Sequence, residues 1–246
     1  MDNLPPISEA PRRTWVDRVQ ALFEVFLLSG LISSLLAGMI YYAVQGKRAV
    51  GPLNNAKFFS IYLLLESATT FLLLITVLKA RRETLAGLGL RRDGWKSQML
   101  LGFALVPFLF LINAAVTNAF RIYLPQYYVE KNPLMELMHT PQQLLLIVFS
   151  ALIAGGIKEE LQRAFILTRF RVYLGGGGMG LVIWSIGFGL GHYVQGLQGV
   201  VAATLYGFIF GIIYLLSGSL IAPIIAHGAY DTLALLAYWF YYGRFR

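Results

Sequence analysis

Two adjacent carboxylates, Glu159 and Glu160, stand four and three residues before Arg163, separated only by GGIK from the apolar run LLLIVFSALIA. Lys158 precedes them, so four of the six residues from 158 to 163 are charged. Two of the three histidines follow on separate apolar stretches: His192, four residues after Phe188, and His227, four residues before Asp231. On a helix, residues three or four apart share a face. Either carboxylate can therefore pair with the Arg163 guanidinium. The other would stand unpaired in a poorly solvated place, as a general base needs if it is to take a proton from water. A plainer reading is an ion-pair cluster at a helix end, with each histidine a satisfied core residue. The conjunction weighs against it, because ionisable groups at membrane depth are costly and mark functional sites. His139 lies in a loop and looks incidental. Glu24 sits near an interface, where it could snorkel, and Glu66 lies deep in the second span, where it could line the same cavity.

The elements that must position these residues are apolar helices. Spans are expected at about 21–44, 58–79, 99–120, 143–167, 178–194, 198–216 and 219–240, the fourth ending in the charged stretch. The last three are joined by very short links, so they should pack as neighbours. The PLMELMHTPQQ portion of the segment 121–142 reads as a short interfacial helix. The fold class is all-α: a polytopic transmembrane helix bundle of seven or eight helices. Residues 1–19 form a polar lead, and 20–246 a single transmembrane domain with its motif-bearing core at about 143–240.

Composition agrees. The chain has 246 residues, 57% hydrophobic and 13% charged, about half the charge of a soluble domain. Mean hydropathy is +0.65. The net charge of +8 is not a nucleic-acid footprint, because the basic residues cluster between apolar segments. Arg12, Arg13, Arg18, Arg81, Arg82, Arg91, Arg92, Lys96, Arg169 and Arg171 place the N-terminus and the loop 80–98 in the cytoplasm. Arg244 and Arg246 disagree mildly, since seven spans would put the C-terminus outside. There are no cysteines, which excludes disulfides, a thiolate nucleophile and a zinc–thiolate site.

At this point the sequence resembles the CAAX protease and bacteriocin-processing (CPBP, or Abi) family of intramembrane proteases, similar to type II CAAX prenyl endopeptidases. That family carries EExxxR, FxxxH, and HxxxN or HxxxD on successive helices. The second is similar to Phe188 and His192, the third to His227 and Asp231 within LSGSLIAPIIAHGAYD. The resemblance covers about 145–240 and implies an intramembrane endopeptidase of membrane-embedded or membrane-anchored proteins or peptides; the compact chain with its short lead suggests the membrane of a prokaryotic cell. It also implies roles. Glu159 or Glu160 would activate water, His192 would orient it, and His227 with Asp231 would hold the tetrahedral oxyanion, with Arg163 completing the first motif.

Two departures stand out. Arg163 follows the first Glu by four residues where the family has five. Either the carboxylates set the register, or Arg163 does and Lys158 stands at the first Glu position. Asp231 replaces the commoner Asn, and an ionised Asp would repel an oxyanion. It must then be protonated, or hold His227 in a donor tautomer. One Glu and two His (Glu159, His192, His227) could also bind zinc with a water position open, although HExxH is absent. Non-catalytic readings are a membrane scaffold or bacteriocin self-immunity protein. A proton-coupled transporter is disfavoured, because no inverted repeat is visible.

Overall fold

A bilayer offers backbone N–H and C=O groups no water, so apolar segments must close their own hydrogen bonds as helices. The computed structural model describes residues 14–46, 51–91 and 93–242, and their regular elements are all helical. In order they are α1 (Trp15–Leu27), α2 (Leu31–Gln45), α3 (Ala56–Arg81), α4 (Trp95–Tyr123), α5 (Pro141–Ala151), a π-helical segment (Leu152–Glu159), α6 (Glu160–Tyr173), α7 (Gly177–Gly191), α8 (Gly196–Ser217) and α9 (Ile221–Tyr242). Four 3-10 turns lie in three of the connections, two of them between α4 and α5. Five stretches are long and apolar enough to cross a membrane by length and composition: Trp15–Gln45, Ala56–Arg81, Trp95–Tyr123, Tyr193–Ser217 and Ile221–Tyr242. α7 is shorter and apolar. The all-α polytopic bundle is therefore as the sequence led us to expect.

The differences are local and have physical causes. The polar lead gives way to helix at Trp15, because Thr14 and Asp17 form a reciprocal capping box: Asp17 N–H donates to Thr14 Oγ1 (3.2 Å) and Thr14 N–H to Asp17 Oδ2 (2.8 Å). The rest of the lead, 1–13, lies outside the described residues, as do Arg92, Arg244 and Arg246. The first span breaks at 28–30, where Gly30 takes φ +96°. PLMELMHTPQQ makes only one 3-10 turn, Met135–Leu137. Its TPQQ end is the cap of α5: Gln143 N–H donates to Thr140 Oγ1, Gln143 Oε1 accepts from Thr140 N–H, and Pro141 sits at the first helical position. The fourth span does not end in the charged stretch. It continues as α5, the π segment and α6 to Tyr173, so the charges lie in mid-helix.

Packing sets where the site lies. The π segment is flanked by α3 and α9, α6 and α8 pack on α7, and α4 runs along α9. Leu161, Ala164, Phe165 and Leu167 of α6 join Trp184 and Phe188 of α7 in one buried core. At one end of the bundle, Glu24 is buried and receives Arg81 Nε and Arg169 Nε, each at 2.6 Å. Arg169 also reaches Glu83 (2.8 Å). Glu24 thus does not snorkel. Two guanidinium groups supply its donors inside the protein and tie α1 to α3 and α6.

Candidate active site

The stretch LIAGGIKE (Leu152–Glu159) widens the helical ladder into a π segment beside the acid pair. A π segment pairs i with i+5, accommodates an extra residue and is frequent at functional sites. Here it contains Gly155 and Gly156, which let α9 approach. A methyl group on Gly155 would lie 2.6 Å from Asp231 Oδ2 and 3.3 Å from His227 Nε2. One on Gly156 would lie 3.2 Å from Gly228 Cα. The glycine pair thus admits the third motif to the first.

Glu160 is the buried hub. Its side chain is 1% exposed, and its Oε1 accepts from the Arg163 guanidinium and from His227 Nδ1 (2.7 Å). Arg163 is also 1% exposed. Its guanidinium lies 4.8 Å from the Phe188 ring centroid and 5.3 Å from that of Phe210. Among the described residues its Nε and Nη2 have no hydrogen-bond partner, so the two aromatic faces add to the Glu160 pairing in compensating the buried cation. Phe210 also stacks on His227 (5.0 Å, 25°), and the Phe188 ring is edge-on to it (6.3 Å, 83°). The imidazole is held from both sides. A carboxylate paired with arginine only accepts, so His227 Nδ1 carries a proton and Nε2 faces the remaining acids.

Glu159 faces a different way. It lines a cavity of about 540 Å³ together with His192, His227, Tyr230 and Asp231, whereas Glu160 does not. Glu159 Oε2 is 3.9 Å and Asp231 Oδ2 3.5 Å from His227 Nε2. His192 sits one residue beyond the last residue of α7, as its cap, with its N–H bonded to Gly189 O (2.9 Å). Its Nδ1 is 2.8 Å from Phe188 O, and since a carbonyl can only accept, Nδ1 is the donor. That leaves Nε2 for the cavity. The i,i+4 spacing of Phe188 and His192 therefore sets the histidine's tautomer through the phenylalanine's backbone.

The structure brings all six sequence candidates, Glu159, Glu160, Arg163, His192, His227 and Asp231, into one cluster. It differs from expectation in three respects. Glu159 does not stand unpaired, because Lys158 Nζ is 3.4 Å from its Oε1. Glu160, not Asp231, holds His227 Nδ1. Glu66 does not line the cavity: it binds Lys158 Nζ (2.8 Å), and its Oε1 accepts from Ser33 Oγ (2.9 Å) and Thr70 Oγ1 (3.2 Å). Lys158 is the site residue the sequence reading missed as a contributor. The only available signal was its place beside the acid pair. His139 lies in the turn before α5 and caps it through its backbone N–H to Gln143 (2.7 Å).

Zinc is tested by the donors themselves. Both Nδ1 atoms are engaged, so a metal would have to take the two Nε2 atoms, and among the described residues no three His, Asp or Glu side chains have the mutual spacing of a metal site. We therefore derive no step through one.

Residues 140–233 match the family model described as type II CAAX prenyl endopeptidase Rce1-like. The match runs from the cap of α5 to the third motif and includes all six residues. It bears out the resemblance, and at the level of the family it supports a membrane-embedded protease. No curated protein and no solved structure matches the chain.

Proposed function

We propose that the protein is an intramembrane endopeptidase that hydrolyses a peptide bond of a membrane-embedded or membrane-anchored substrate through water activated by Glu159. The observation that carries this reading is the division of labour between the two acids. Glu160 gives its Oε1 to Arg163 and His227 and is buried away from the cavity, while Glu159 opens onto the cavity beside His192. This also supports the register set by the carboxylates, because Lys158 points to Glu66 and does not line the cavity.

In this mechanism a water molecule lies between Glu159 and His192 Nε2. Glu159 takes one proton as the oxygen attacks the substrate carbonyl carbon. His227 faces the oxyanion that forms. Its Nδ1 already donates to Glu160, so stabilising the oxyanion requires a proton on Nε2 as well, the imidazolium form in which both nitrogens donate. Asp231 can add a second donor only when it carries a proton, since an ionised carboxylate repels the oxyanion. The proton on Glu159 then passes to the leaving nitrogen as the C–N bond breaks, giving an amine and a carboxylic acid, whose remaining proton is lost on release. A cavity of about 540 Å³ is within the usual range for a small-ligand or peptide site, and its wall is largely apolar and aromatic (Phe59, Leu63, Phe110, Tyr206).

The test uses purified protein in liposomes with two quenched-fluorescent probes: a farnesylated Cys-a-a-X peptide and its unprenylated counterpart. The proposal expects wild type to cleave at least one probe and Glu159→Gln to lose that cleavage. Equal rates in wild type, Glu159→Gln, Glu160→Gln and the double variant would overturn it.

A further inference from the structure

Lys158 and Glu66 form a buried ion pair that the reaction as described does not use. Lys158 is 6% exposed and Glu66 5% exposed, on two elements far apart in sequence. Ion pairs in the low-dielectric interior of a membrane bundle are expensive, and a hydrophobic pair of similar volume often serves stability as well or better. Something other than stability has to account for this pair. Its geometry supplies a candidate. The ammonium touches both carboxylates, at 2.8 Å from Glu66 Oε2 and 3.4 Å from Glu159 Oε1. Glu159 Oε1 is thereby turned toward the lysine, and Oε2 is the oxygen on the side of His227 Nε2 (3.9 Å).

Glu66 is itself fixed from two further directions. Ser33 Oγ of α2 donates to its Oε1 at 2.9 Å and Thr70 Oγ1 of α3 at 3.2 Å. The chain of contacts runs from α2 and α3 through Glu66 and Lys158 to the acid that faces the cavity.

We propose that Lys158, anchored by Glu66, is a positioning residue for the Glu159 carboxylate. It holds Oε1 so that Oε2 is presented to the water. This rests on Glu159 being the base, as argued above. The lysine touches neither substrate nor water in this account, so its effect belongs in turnover rather than in substrate binding.

The experiment measures kcat and KM for the cleaved probe, with thermal unfolding in detergent, for Lys158→Met, Lys158→Arg, Glu66→Gln and the double variant Lys158→Met/Glu66→Gln. We expect Lys158→Met to lower kcat about tenfold or more with KM within twofold. Lys158→Arg should recover part of the loss. Glu66→Gln should lower kcat too, because the lysine loses its anchor. A purely structural pair would lower the unfolding temperature and the yield of folded protein and leave kcat per folded molecule unchanged. That result, or wild-type kcat in Lys158→Met, overturns the proposal. If Lys158→Met does not accumulate as folded protein, Lys158→Arg and Glu66→Asp decide, since both keep the charges and move them. A kcat loss of threefold or more at unchanged KM supports positioning, and wild-type kcat contradicts it. Glu159→Gln in parallel separates the two claims. If it cleaves normally, the base assignment fails. If it is inactive while the Lys158 and Glu66 variants turn over as wild type, only the positioning role fails.

Discussion

Arg163 lies one residue closer to the acids than in the family's first motif, and the cluster survives because a helix tolerates that shift. Glu160 and Arg163 are i,i+3 apart, and both i+3 and i+4 neighbours share a face. The pair therefore forms with either spacing. Breaking it from one side should be costly. Arg163→Met leaves Glu160 buried with a single donor, and removing one partner of a buried pair costs about 3–5 kcal/mol. We expect a clear fall in the unfolding temperature in detergent. Glu160→Gln in the same chain should restore much of the stability, while turnover stays low because a neutral amide no longer supports the His227 imidazolium. An Arg163→Met variant as stable as wild type would contradict the hub role of Glu160. At this scale the sequence was readable where a partner is one turn away. His227 and Asp231, and Phe188 and His192, declare themselves by spacing. The Glu160 bond to His227 and the Lys158 bond to Glu66 did not, because these partners sit on other helices and only packing brings them together.

The elements do their part through one irregular segment. Helices were legible from apolar run length, and the observed segments fall close to the expected ones. The π segment was not, because its i+5 pairing leaves no mark in hydrophobic periodicity, and Gly155 and Gly156 read equally well as a helix end. The fourth span was for that reason expected to stop where it in fact passes through the π segment and continues. The closeness of Gly155 to α9 yields a direct prediction. Gly155→Ala puts a methyl 2.6 Å from Asp231 Oδ2 and must push α9 or the acid away. Overpacking of this kind costs about 1–3 kcal/mol. The variant should remain folded, unfold at a lower temperature and lose most of its turnover of the cleaved probe. Wild-type turnover in Gly155→Ala would show that the approach of α9 is not needed for the chemistry.

For the whole molecule, the cavity reaches one end of the bundle, at Asn132, Gln195 and Tyr241, near the start of α3 at Ala56 and the turn at Met138. The basic residues Arg81 and Arg169 lie at the other end, gathered on Glu24 and Glu83. If the Lys and Arg bias of the loops sets orientation, the cavity mouth is on the side away from the cytoplasm. The chain contains no cysteine, so single cysteines report this without background. Tyr241→Cys should react with a membrane-impermeant maleimide on intact cells, and Arg82→Cys only after permeabilisation. The reverse pattern would place the mouth in the cytoplasm. The proposed use of the cavity turns on one side chain, Glu159. The most direct measurement is the rate of probe cleavage by Glu159→Gln against Glu160→Gln, each normalised to folded protein. General-base removal costs roughly 10²–10⁴-fold in rate, so Glu159→Gln should lose that much at a near-wild-type unfolding temperature. Glu160→Gln should lose both stability and turnover. Near-wild-type cleavage by folded Glu159→Gln would contradict the account.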